Sequence, residues 1–201
     1  MKTSRQIQAE KTKGQILDCY LELIREKPID EIKIADLCKK ADISVGTYYH
    51  YFRSKESIIR EIYYRIDARF EEIGKHLCGK TYVDQILEYL THTGDEAQNY
   101  FGLRASTTIY RLQMSIDADF FLDTSRPFSQ NLLRLLTLAV KAGELSEDIQ
   151  IQTTVIDLLC IFRGIVYSWC LLKGEFDVED MIHTTVKAYL KKITLLKPTV
   201  S

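Results

Sequence analysis

The stretch Ser44-Val45-Gly46-Thr47-Tyr48-Tyr49-His50-Tyr51-Phe52 gathers two aliphatic hydroxyls, three phenols and an imidazole in nine residues and contains no acid. Such groups hydrogen-bond to anionic oxygens and to base edges, which is the chemistry of a nucleic-acid contact. At 100° per residue, with Tyr48 turned inward, Phe52 falls nearly beneath it. Gly46 and His50 then point the opposite way, flanked by Tyr49 and Thr47. Gly46 lets another backbone approach closely, and the free N–H groups at a helix start suit phosphate oxygens. Thr47 can meet a base edge or a thymine methyl, and Tyr49, His50 and Tyr51 can donate to phosphate. Aromatics at helical spacing are more often core, and Tyr48 and Phe52 are assigned to the core for that reason.

A short helix of this kind must be held by others. Ile34, Leu37, Cys38 and Ala41 share one side of a helix predicted over 34–41. Asp42-Ile43-Ser44 makes the corner after it, since Asp tolerates the left-handed backbone such corners need. Ser44 is a good N-cap for the third helix, which runs to about Phe52. Upstream, Ile16, Leu17, Tyr20, Leu21 and Ile24 form one apolar stripe, ended by Pro28. Arg53-Ser54 interrupts the third helix after Phe52. Ser54 can cap a long fourth helix with Ile59, Ile62, Ile66, Phe70, Ile73 and Leu77 in line, and Glu56 near its positive end. Two short helices about a three-residue corner outline a helix-turn-helix. Beyond Gly79 the pattern stays helical, with breaks predicted near 92–95, 117–123, 143–148 and 173–177.

Composition agrees with an all-α protein. The 201 residues are 46% hydrophobic and 27% charged, with only 3 Pro and 9 Gly, so little of the chain is irregular. Net charge is −1, yet residues 1–57 carry eleven Lys/Arg against nine Asp/Glu, and the remainder sixteen against nineteen. A slightly basic head on an acidic body permits a phosphate-binding patch. Arg5, Lys11 and Lys13 fall in a polar leader read as a solvated tail, with an arm touching phosphate as the alternative. The five cysteines show no CxxC spacing, so no zinc knuckle or disulfide framework is indicated. His76 and Cys78 project about 200° apart on a helix and cannot share a metal. No cofactor or metal site is expected. The absence of a secretory signal points to the cytoplasm. The apolar segment 153–172 contains Asp157 and Arg163, so it is read as a buried helix rather than a membrane span.

Ile34-Ala35-Asp36-Leu37, the run from Ala41 through Phe52, and Arg53-Ser54-Lys55-Glu56 together resemble the TetR family of transcriptional regulators. The resemblance covers about the first quarter of the chain; the body matches in length and helical layout. It implies an all-α homodimer that binds double-stranded operator DNA, with a small-molecule pocket in the body whose filling releases the DNA, most often as a repressor. The family's DNA contacts fall by position on Ser44, Val45, Gly46, Thr47, Tyr49, His50, Tyr51 and Lys55. Lys33 stands where the family usually has Thr opening helix two. It cannot accept a capping hydrogen bond, which removes about 1 kcal/mol from that helix or shifts its start; it is open to reading as a phosphate contact or as a solvated charge. Asp42 stands where Gly is usual, and Val45 where a basic or polar residue is common. No Arg or Lys is placed to read guanine from this helix.

The domains expected are a helix-turn-helix DNA-binding head at 1–53 and a ligand-binding and dimerisation body at 54–201. The segment 153–172 is apolar nearly all round, and the last helix carries Val178, Met181, Ile182, Val186, Tyr189, Leu190 and Ile193 as a stripe. Homodimerisation through these last two helices, as a four-helix bundle, follows from the resemblance. Among aromatics able to line a cavity are Phe101, Tyr110, Phe120, Phe121, Phe162 and Trp169, with core packing the leading reading for each. Arg104 and Arg163 could meet an acidic ligand or form structural ion pairs. An enzyme is not expected: no nucleophile elbow, phosphate loop or HExxH occurs. The competing functions are a constitutive DNA-binding or scaffolding dimer without ligand control and, further off, a small helical enzyme.

Overall fold

The computed structural model describes residues 3–116 and 123–194, the side chains of 55–56 and 114–116 excepted. These residues are helical throughout their ordered elements, with no strand among them. The chain divides into two compact units, Met1–Ile66 and Asp67–Ser201, the boundary falling inside the fourth helix.

The first unit begins with α1 (Ser4–Glu26). Thr3 Oγ1 accepts the Gln6 N–H at 3.3 Å and Gln6 Oε1 accepts the Thr3 N–H at 2.8 Å, a reciprocal cap that starts the helix. The leader expected to be a solvated tail is therefore helical from Ser4. Its Lys13 is tied to Glu61 at 2.7 Å. Periodicity missed this because residues 4–15 bury no apolar side chain and only the Thr-x-x-Gln cap marks the start. After a short 3-10 turn, Ile29–Glu31, come α2 (Ile34–Lys40), α3 (Val45–Tyr51) and α4 (Lys55–Lys75). Ile16, Tyr20, Ile24, Leu37, Tyr48, Phe52 and Ile58 are buried together as the largest apolar groups of this unit.

The second unit contains α5 (Tyr82–Asp95), a π-helical segment Glu96–Phe101, α6 (Gly102–Ile116), α7 (Pro127–Lys141), α8 (Ile151–Leu171) and α9 (Val178–Thr194). The break expected near 92–95 is a change of helix type rather than a loop, α5 passing at Glu96 directly into the π-helical segment. Thr93 is buried and donates to the Tyr89 carbonyl at 2.6 Å, while a side chain at Gly94 would collide with Ile182 of α9. These small residues bring two helices close rather than opening a loop. The chain turns later, at Gly102, where φ is +78°. The breaks expected near 143–148 and 173–177 do separate α7, α8 and α9. The one expected near 117–123 lies largely outside the described residues. Ile86, Tyr89, Leu90, Leu132, Leu135, Leu158, Val166, Ile182 and Val186 form the core of this unit.

Candidate nucleic-acid interface

The corner between α2 and α3 is made as its residues require. Asp42 takes a left-handed conformation, φ +52°, and the Ile43 N–H returns to the Cys38 carbonyl at 3.0 Å, closing the end of α2. Ser44 then caps α3, its Oγ accepting the Thr47 N–H at 3.0 Å. The same oxygen lies 2.9 Å from Thr47 Oγ1. The Ser-x-x-Thr spacing is plain in the sequence, whereas the pairing of the two hydroxyls is decided by the fold.

Tyr48 and Phe52 are fully buried, with ring centroids 5.5 Å apart. The Tyr48 hydroxyl reaches the Ser54 carbonyl at 3.2 Å, and Tyr49 stands edge-on to the Tyr48 ring. Because Tyr48 fixes the inward side, Val45, Gly46, Tyr49 and His50 are exposed, while Thr47 and Tyr51 are half-buried. Ser44 is exposed at the helix start. The structure thus places the nine-residue run on one accessible helix with its core side anchored. Lys55 opens α4, but its side chain lies outside those described.

Lys33 is exposed at the position preceding α2. Its ammonium has no lone pair and caps nothing, yet α2 still begins at Ile34. Asp36 makes the other half of a capping box: its Oδ2 accepts the Lys33 N–H at 3.4 Å and the Lys27 ammonium at 2.6 Å. The Lys27 hydrogen bond, then that backbone N–H, hold the Asp36 carboxyl below its ordinary range. Lys40 bridges to Glu26 at 2.9 Å and Glu22 at 3.1 Å, which raises its pKa. Several head cations thus serve the head itself. Lys33, Lys39 and Arg53 are exposed; the sequence marks Arg53 as part of an interruption between helices and of the run that carries the resemblance, not as a contact.

In the second unit the expected ligand-contacting residues divide. Phe101, Phe162 and Trp169 are buried, Phe162 against the ring of Phe128 with centroids 4.9 Å apart. Tyr110 and Arg163 are brought together, the Tyr110 hydroxyl donating to the Arg163 carbonyl at 3.2 Å. Burial raises the Tyr110 phenol and lowers the Arg163 guanidinium from their ordinary values. Arg104 is exposed. Phe120 and Phe121 lie outside the described residues. Sequence reasoning did not foresee the partly buried pair in which Arg126 Nε and Nη2 contact the Asp67 carboxylate at 3.0 and 2.9 Å, because its members are 59 positions apart.

The chain is similar to known proteins. Residues 16–62 match the model of bacterial regulatory proteins, tetR family. The HTH-type transcriptional regulator UidR of Escherichia coli (strain K12) is 26% identical over 185 residues, covering 90% of this chain and 89% of UidR. A TetR-family transcriptional regulator from Syntrophomonas wolfei superposes with a TM-score of 0.69 at 23% identity, covering 96% of this chain and 99% of that one. One from Rhodococcus sp. gives 0.73 at 16% identity, with 92% and 99% covered. At these identities the solved structures speak for the fold.

Proposed function

We propose, from the premise that this chain is a DNA-binding transcriptional regulator of the TetR family, that it is a cytoplasmic repressor which binds operator DNA as a homodimer and leaves it when a small molecule occupies the second unit. The observation that carries the DNA-binding face is the anchoring of α3 by Tyr48 and Phe52 with Gly46, Tyr49 and His50 left open to solvent. A major groove admits such a helix, N-terminal end first. In this reading Ser44, Val45, Gly46, Thr47, Tyr49, His50 and Tyr51 face the DNA, and Lys33, Lys55 and Arg53 meet flanking phosphates.

The exposed side of α8 supports dimerisation. Ile156 is 52% exposed, Tyr167 45% and Leu171 62%, and the small residues Cys160, Gly164 and Ser168 lie exposed among them at four-residue steps. A Cβ added at Gly164 would meet nothing within 4 Å, leaving room for close approach of a second helix. By length and composition α8 could also cross a membrane, but its other side, Leu158, Phe162 and Val166, is core. The acid on this side, Asp157, accepts the Tyr189 hydroxyl at 2.7 Å, so its burial by a second copy would leave a partnered carboxylate. A dimer sets two α3 helices about one DNA turn apart, roughly 34 Å. An effector favouring another spacing weakens DNA binding by its differential affinity. Phe101, Arg104, Tyr110, Phe162, Arg163 and Trp169 are the residues proposed to meet it.

The test is a mobility-shift measurement on DNA flanking the chain's own gene, with and without a small-molecule extract, alongside sedimentation of the free protein. A dimer that shifts a specific fragment and releases it with extract is expected. A monomer, or binding indifferent to sequence, would defeat the reading; specific binding indifferent to every extract would favour constitutive regulation.

A further inference from the structure

We infer that the recognition helix reads thymine methyl groups, through Val45 and the methyl of Thr47, so that each operator half-site carries thymine where α3 enters the groove; this rests on the DNA-binding reading above. Val45 is the first residue of α3 and is 48% exposed. Much of this branched aliphatic side chain is left in water at the helix start. Thr47, two residues on, has its hydroxyl committed: Oγ1 lies 2.9 Å from Ser44 Oγ, the oxygen that also accepts the Thr47 N–H. With Oγ1 paired to the cap, the methyl Cγ2 is the apolar group this side chain can offer a base.

The two side chains lie about 200° apart around the helix, one on either side of Gly46. A Cβ at Gly46 would meet only Ser44 Oγ, at 3.7 Å, an ordinary contact, and its φ is not positive. The head itself therefore has no need of glycine there. Its lack of a side chain lets the helix settle toward the groove floor, which brings the flanking methyls of Val45 and Thr47 to base edges. Residues 44–52 contain no Arg or Lys, so bidentate pairing with guanine is outside the repertoire of this helix. Thymine is the base that offers an apolar group in the major groove. Methyl-to-methyl contact is the readout these residues can perform.

Binding sites selected from random duplexes by the full-length protein provide the test. Each thymine of the selected site is replaced in turn by deoxyuridine, which keeps the pairing edge and removes the methyl. At one or two positions per half-site the wild type is expected to lose affinity about three- to fivefold. Thr47→Val, which keeps a methyl and lacks the hydroxyl, is expected to retain that sensitivity. Thr47→Ser should abolish it at one position and Val45→Ser at another, with thermal unfolding showing all three variants folded. Tolerance of deoxyuridine at every position, or undiminished sensitivity in both serine variants, would overturn the inference while leaving DNA binding intact. Failure to enrich any sequence would instead bring down the DNA-binding reading on which it rests.

Discussion

The hydroxyl of Tyr48 donates to the backbone carbonyl of Ser54 at 3.2 Å, so one buried side chain sets the inward face of α3 and also ties down the corner that opens α4. The corner has its own reciprocal cap, with Ser57 N–H on Ser54 Oγ at 3.3 Å and Ser54 N–H on Ser57 Oγ at 3.2 Å. Tyr48→Phe keeps the ring and removes the bond. It is expected to destabilise the head by about 1 kcal/mol, seen as a lower urea midpoint, with operator affinity nearly unchanged where the protein remains folded.

Gly46→Ala should act with opposite signs on folding and on binding. Gly in a helix is less favourable than Ala by roughly 0.5–1 kcal/mol, and the space around Gly46 accepts a methyl. Urea unfolding should show a gain of that order while operator affinity falls. Weaker stability, or unchanged affinity, would count against a close approach of DNA at this position.

Tyr49→Phe and His50→Ala remove exposed polar groups. Each is expected to weaken operator binding several-fold without lowering the unfolding midpoint, since surface changes of this kind fall within about 0.5 kcal/mol. Wild-type affinity should also fall steeply with salt, as phosphate contacts require. Two variants that bind like the wild type would remove this face from the interface.

Ile156→Asp and Leu171→Asp place charge on the apolar side of α8 away from the core. Sedimentation should show the dimer dissociating, and operator affinity should drop with it because two half-sites are no longer joined. Both sites are exposed in the single chain, so the helical signal in circular dichroism is expected to survive.

Asp177 caps α9, accepting the Asp180 N–H at 2.8 Å and the Gln98 amide at 3.0 Å. The Asp180 backbone bond, then the Gln98 side chain, hold its carboxyl below the ordinary value. A lowered folded-state pKa means stability present above the unfolded value and lost as pH falls through the folded one. Asp177→Ala is expected to cost about 1 kcal/mol at pH 7, a difference from wild type that closes as pH drops below about 4. Urea midpoints at pH 7, 5 and 3 check this.

The candidate interface was legible in the sequence because its determinants are local. The inward placement of Tyr48 and Phe52, the outward placement of Gly46 and His50, the Ser44 cap and the Asp42 corner all follow from spacings of ten residues or fewer, where helix geometry and capping chemistry decide. Even there the sequence could not say that the Thr47 hydroxyl pairs with that of Ser44, or that Asp36 accepts both the Lys33 N–H and the Lys27 ammonium. A side chain with two available partners is settled by the fold. Farther along, Thr93 and Gly94 looked like a break and proved to be a helix contact, because their role is defined by Ile182 nearly ninety positions away. The same holds for α8, whose apolar residues are alike in sequence: Leu158 and Phe162 become core while Ile156 and Leu171 remain exposed, since only the helices packed against them determine which side is removed from water.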